Sequence, residues 1–104
     1  MHRIATTLLS SLVAVTVANT AALADAANGE KLARRWCASC HVVATDQRQG
    51  NTQASPFSAM AKIPGLNAEK IALFLLAPHP PMPDMSLSRN EAADLAAYIE
   101  KQGR

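Results

Sequence analysis

The segment "RRWCASCHVV", residues 34–43, fits two different chemistries. Trp36-Cys37-Ala38-Ser39-Cys40 is a W-C-x-x-C, the form of a thiol–disulfide redox motif. Extended by one residue, Cys37-Ala38-Ser39-Cys40-His41 is C-x-x-C-H, the spacing that attaches a haem covalently. What precedes the segment separates the two. Gly29, Leu32, Ala33, Trp36 and Cys37 recur at three- and four-residue intervals, which is helical periodicity. The cysteines therefore stand at the C-terminal end of a helix.

A redox-active C-x-x-C follows a strand and opens a helix, whose positive end lowers the thiol pKa. No stretch of this chain alternates as a strand does, so the thiol reading lacks its scaffold. Zinc requires four ligands, and beyond His41 there is no second Cys or His pair; His79 alone would leave such a site incomplete. The haem reading uses every residue of the motif. Two cysteines at this spacing can form thioethers to the two vinyl groups of one porphyrin, and the adjacent histidine can present its imidazole to the iron.

Residues 1–24 read as a secretory signal peptide: a basic start at Met1-His2-Arg3, an apolar run from Ile4 to Ala18, and Ala22-Leu23-Ala24 as an A-x-A cleavage pattern. The run is too short, and too broken by Thr6, Thr7, Ser10 and Ser11, for a span of about 20 apolar residues. A mature chain, residues 25–104, is thus expected to begin at Asp25, to be exported to the periplasm, and to make no stable membrane insertion. A single domain of about 80 residues is near the lower limit for a self-sufficient core. Two cysteines three apart close no long loop and add little entropic stabilisation. A buried macrocycle would supply the missing apolar volume.

The full chain has 10 Lys and Arg against 8 Asp and Glu. Without Arg3 the mature chain has 9 against 8, close to neutral, and no basic run interleaved with aromatics marks a nucleic-acid surface. No Ser/His/Asp set or paired carboxylates offers hydrolytic chemistry.

The remaining pattern is helical. "ATDQRQGNTQA" (44–54) is a polar surface loop without periodicity and is expected to be the mobile part. Ser55-Pro56 reads as an N-cap followed by proline at the first helical position, opening the short helix "PFSAMAK". Asn67 caps a helix running to Leu76, and Pro78, Pro80, Pro81 and Pro83 forbid helix beyond it. Ser88-Arg89-Asn90-Glu91 is a capping box ahead of Ala92, Leu95, Ala96 and Ile99, in a last helix reaching about Gln102. The expected fold class is all-α.

With Cys37-Ala38-Ser39-Cys40-His41, Ser55-Pro56-Phe57 and "MPDMSLSRNEAADLAAYI" (82–99) in place, residues 28–102 resemble a small monohaem class I cytochrome c. The resemblance implies N- and C-terminal helices packed around one covalently attached haem c, with thioethers at Cys37 and Cys40 and His41 as one axial ligand. It implies Met82 as the other, from its spacing to Leu87 and Ser88, while Met85 and His79 compete within the same loop. It further implies that the carbonyl of Pro56 accepts the histidine Nδ1–H, and that Gly29 lets Tyr98 come close where the end helices cross. His/Met ligation suits single-electron Fe(III)/Fe(II) transfer between redox protein partners. A gas sensor or peroxidase-like subunit with a labile sixth ligand is the alternative. Trp36 is expected as a core aromatic, Met60 as packing, and Arg34 and Arg35 as a solvated face.

Overall fold

In the computed structural model, residues 13–16, 23–51, 53–78 and 80–104 are described. Four helices follow in order: α1 Ala26–Trp36, α2 Phe57–Met60, α3 Ala68–Leu76 and α4 Arg89–Lys101. The described residues contain no strand, and no helix among them is long and apolar enough to cross a membrane. The signal-peptide reading falls largely outside the described residues, of which only 13–16, 23 and 24 belong to it.

Three helices start where a side chain can cap them. Asp25 Oδ1 accepts from the Ala27 and Asn28 N–H groups at 3.0 and 3.1 Å, satisfying donors that the first turn of α1 leaves unpaired. Asn67 Oδ1 does the same for Lys70 N at 2.9 Å. At Ser88 both halves of the capping box form: Glu91 N donates to Ser88 Oγ at 3.1 Å, and Ser88 N donates to Glu91 Oε1 at 3.0 Å.

The fourth start differs from the sequence expectation. Pro56, rather than Ser55, is the N-cap of α2, and no side chain caps that helix. Phe57 N instead donates to Val42 O at 3.0 Å, so the start of α2 is fixed by the segment leaving the C-x-x-C-H motif. Without a side-chain cap α2 is only four residues long, and single turns carry the chain from Ala61 to Leu66.

α4 is the element against which the others pack: α1 lies along it, α3 beside it, and α2 touches it. Its buried face, Ala92, Leu95, Ala96, Tyr98 and Ile99, meets Gly29 and Ala33 of α1 and Ile71 and Leu75 of α3. Cys37, Val43 and Phe57 complete the buried cluster. α1 approaches so closely that a Cβ at Gly29 would lie 2.0 Å from the Asp94 carbonyl oxygen and 2.8 Å from Tyr98 Cβ. The expected Gly29–Tyr98 crossing is present. Asp94 clamps the same seam, accepting from Asp25 N at 2.7 Å and from Asn28 Nδ2 at 2.9 Å. At α3, Glu100 Oε2 accepts from Ala68 N at 2.8 Å, placing a carboxylate at the positive end of that helix.

Candidate haem-attachment site

The motif continues directly from α1. Cys37 N and Ala38 N donate to Ala33 O at 2.9 and 3.1 Å, and Cys40 N and His41 N fold back onto Cys37 O at 3.1 and 2.8 Å. One compact turn therefore sets the two sulfurs and the imidazole in sequence. Cys37 is buried and Cys40 exposed. Burial, then the neighbouring Cys40, pushes the Cys37 thiol up to about 11. A thiol–disulfide catalyst needs the opposite shift, a thiolate available near neutral pH.

His41 is held by its ring. Nδ1 lies 2.6 Å from the Ser55 carbonyl oxygen, which can only accept, so Nδ1 carries a proton, and in the neutral ring Nε2 is the nitrogen with the lone pair. A histidine prepared in this way is suited to bind a metal through Nε2. The ring also leans on buried Phe57, with centroids 5.5 Å apart, and Phe57 meets Tyr98 edge-on at 6.3 Å.

The acceptor corrects one expectation. It is the Ser55 carbonyl, not that of Pro56, whose oxygen accepts from Ala59 and Met60 N–H at 3.0 Å each as the opening of α2. Pro56 contributes through its ring, which restricts the preceding residue to extended backbone and so fixes the direction of the Ser55 carbonyl.

The motif's exit is held by more distant residues. Tyr98 Oη donates to Val43 O at 2.6 Å, and burial, followed by the nearby Glu30 charge, raises the Tyr98 pKa. The 44–54 loop is polar and largely exposed, as its composition predicts, but it is not unattached. The Gln47 side chain bonds to the backbone of Ala38, His41, Val43 and Gln49, and Asn51 N donates to Cys40 O at 2.6 Å.

Met82 and Leu87 are half-buried and pack against the central cluster; Met85 is half-buried. Asp84 Oδ1 accepts from Ser86 N at 2.8 Å in a local turn that carries Ser86 to φ 53°, separating Met85 from Leu87. His79 lies outside the described residues.

Trp36 departs from the core role expected of it. It is the last residue of α1 and 44% exposed, with the Arg35 guanidinium 4.8 Å above its ring. The helical spacing is right, but the helix ends there and a cation covers the ring. Arg34 is on the solvated face as expected, paired with Glu30 at 3.0 Å and Asp46 at 3.3 Å. Met60 packs against the core beside Phe57.

Sequence reasoning missed the Ser55 acceptor, Tyr98 Oη and Gln47. The first two contacts end on backbone carbonyls, which have no residue signature. Nothing in the polar loop distinguishes Gln47 from Gln49 or Gln53.

An all-helical chain with C-x-x-C-H at the end of its first helix and a histidine poised to coordinate through Nε2 is a small monohaem c-type cytochrome. The chain belongs to that family: residues 24–99 match the family described as cytochrome c oxidase, cbb3-type, subunit III. It is 51% identical over 89 residues to cytochrome c-552 of Bradyrhizobium diazoefficiens, in an alignment covering 85% of this chain and 86% of that one. No solved structure matches it. It is an electron-transfer protein with covalently bound haem c, whose attachment pattern the spacing of Cys37 and Cys40 fits.

Proposed function

We propose that the mature chain, residues 25–104, works in the periplasm as a single-electron carrier between redox protein partners and turns over no substrate. Cys37 and Cys40 hold the haem, and His41 and Met82 are its axial ligands. The attached haem supplies a one-electron Fe(III)/Fe(II) couple. The observation that carries the reading is the 2.6 Å contact from His41 Nδ1 to the Ser55 carbonyl. It leaves one ring nitrogen free to coordinate and makes that nitrogen more basic.

Met82 is favoured over Met85 and His79. It packs against the core beside the turn into α4, and Pro81 and Pro83 restrict its backbone on both sides. A thioether on the second face closes the coordination sphere and favours Fe(II), raising the potential. Export is supported by Ala22-Leu23-Ala24 immediately before Asp25, the residue that caps α1.

Two measurements test this. The purified protein should begin at or near Asp25 and carry one haem that survives denaturation and acid–acetone extraction; extractable haem with two titratable thiols would revive the thiol chemistry. The ferric protein should show the weak near-infrared sulfur-to-iron band, and Met82→Ala should abolish it, lower the potential and open the iron to carbon monoxide. Loss of the band in Met85→Ala instead would reassign the ligand. A wild type without the band that binds carbon monoxide readily would favour the sensor or peroxidase alternative.

A further inference from the structure

The loop after the motif contains one side chain whose hydrogen bonding is out of proportion to its surroundings. Gln47 is half-buried, whereas Arg48, Gln49, Gly50 and Asn51 after it are exposed. Its Oε1 accepts from Val43 N at 3.0 Å. Its Nε2 lies 2.9 Å from Ala38 O, 2.7 Å from His41 O and 2.8 Å from Gln49 O, so two amide hydrogens are shared among three carbonyls.

Those partners are not scattered. Ala38 and His41 belong to the attachment motif, on either side of Cys40, and Val43 leaves it. Gln49 stands in the loop that leads to Ser55, whose carbonyl receives the His41 Nδ1–H at 2.6 Å. Gln47 thus ties the backbone that carries the imidazole to the loop that leads on to its acceptor. Val43 is 1% exposed, so water cannot easily replace Oε1 at its N–H.

We propose that Gln47 is a positioning residue for the axial histidine, setting the orientation of the His41 ring and the strength of its bond to Ser55. The inference rests on the reading of His41 as an iron ligand. A ligand histidine that donates strongly from Nδ1 is more basic at Nε2 and favours the oxidised metal. Loosening the Gln47 brace weakens that donation, so the potential should rise. The ring should also turn about its bond to the metal.

The test uses the holoprotein. In the wild type, the Gln47 side-chain amide protons should exchange with solvent far more slowly than those of Gln49 and Gln53. Gln47→Met keeps the length of the side chain and removes every hydrogen bond. It should change the pattern of haem-methyl proton shifts in the ferric protein, which reports the orientation of the ligand ring, and raise the potential. Gln53→Ala should change neither, since Gln53 is exposed and has no bond to the brace. A Gln47→Met holoprotein with wild-type methyl shifts and potential, altered only in denaturation midpoint, overturns the proposal. So does a Gln47 amide that exchanges as fast as that of Gln49, a result that decides the matter even if the variant fails to accumulate. The near-infrared and visible spectra of the wild type test His41 ligation separately, so a failure there is distinguishable from a failure of Gln47.

Discussion

Replacing Gly29 by alanine adds one methyl group at the point where α1 and α4 are closest. In an exposed helix interior that change would stabilise by about 1 kcal/mol. Here the new Cβ would sit 2.0 Å from the Asp94 carbonyl oxygen, 2.6 Å from its carbon and 2.8 Å from Tyr98 Cβ. Two of these neighbours are backbone atoms of a helix and cannot swing away, so the whole seam must open. Opening it stretches the bonds from Asp25 N and Asn28 Nδ2 to Asp94, and the bond from Tyr98 Oη to Val43 O. Overpacking of a well-packed core costs about 1–3 kcal/mol and occasionally more. Contact with backbone puts this site at the upper end, so a net loss of about 2 kcal/mol is expected after the gain in propensity. For a domain of this size that lowers the midpoint on the order of 8–16 °C. Thermal unfolding of the holoprotein, followed in the haem absorption band and in far-ultraviolet dichroism, measures it. A midpoint equal to or above that of the wild type would show that the helices do not meet at Gly29.

Tyr98→Phe should cost about 1–3 kcal/mol, because Val43 O is left without its side-chain partner. The raised Tyr98 pKa means that the unfolded chain ionises first as pH increases; the tyrosine's contribution is complete below about pH 10, the unfolded value, and is lost as pH climbs through the higher folded value. Denaturation of the wild type and Tyr98→Phe should therefore converge at strongly alkaline pH. Ser88→Ala removes one half of the capping box at α4 and should cost about 1 kcal/mol, read as a denaturant midpoint shift with an unchanged slope.

What could be read from the sequence divides along a physical line. Asn67 and Ser88 announce α3 and α4 because a cap acts within three residues of itself, and the structure begins each helix immediately after them; α1 is announced by its apolar period, and its Asp25 cap is seen only in the structure. The motif was equally legible, since covalent attachment demands fixed residue types at fixed spacing. Gly29 could be paired with Tyr98 only through family resemblance; the approach to Asp94 O depends on how two helices cross. Ser55 was misread because the proline beside it suggested a cap, whereas the chain uses its carbonyl for His41 and leaves α2 to start on Val42 O. Long-range contacts that end on backbone atoms have no pattern in the sequence, and most of what surrounds His41 is of that kind.

Cleavage before Asp25 would link processing to the same helix seam. Asp25 N donates to Asp94 Oδ1 at 2.7 Å, while the Asp25 side chain caps α1. If cleavage falls between Ala24 and Asp25, that nitrogen becomes the α-ammonium group and an amide hydrogen bond becomes an ion pair with the Asp94 carboxylate. A positive charge at the start of a helix is ordinarily unfavourable; here the Asp25 and Asp94 carboxylates both offset it. An exposed ion pair of this type contributes about 0.5 kcal/mol and weakens with salt. Asp94→Asn should thus destabilise the mature protein more at low ionic strength than in 1 M salt. After acetylation of the amino terminus, the same substitution should cost an amount independent of salt. Equal, salt-independent losses in both forms would reduce Asp94 to a hydrogen-bond acceptor for Asn28 and the chain end, and the amino terminus would have no part in closing α1 onto α4.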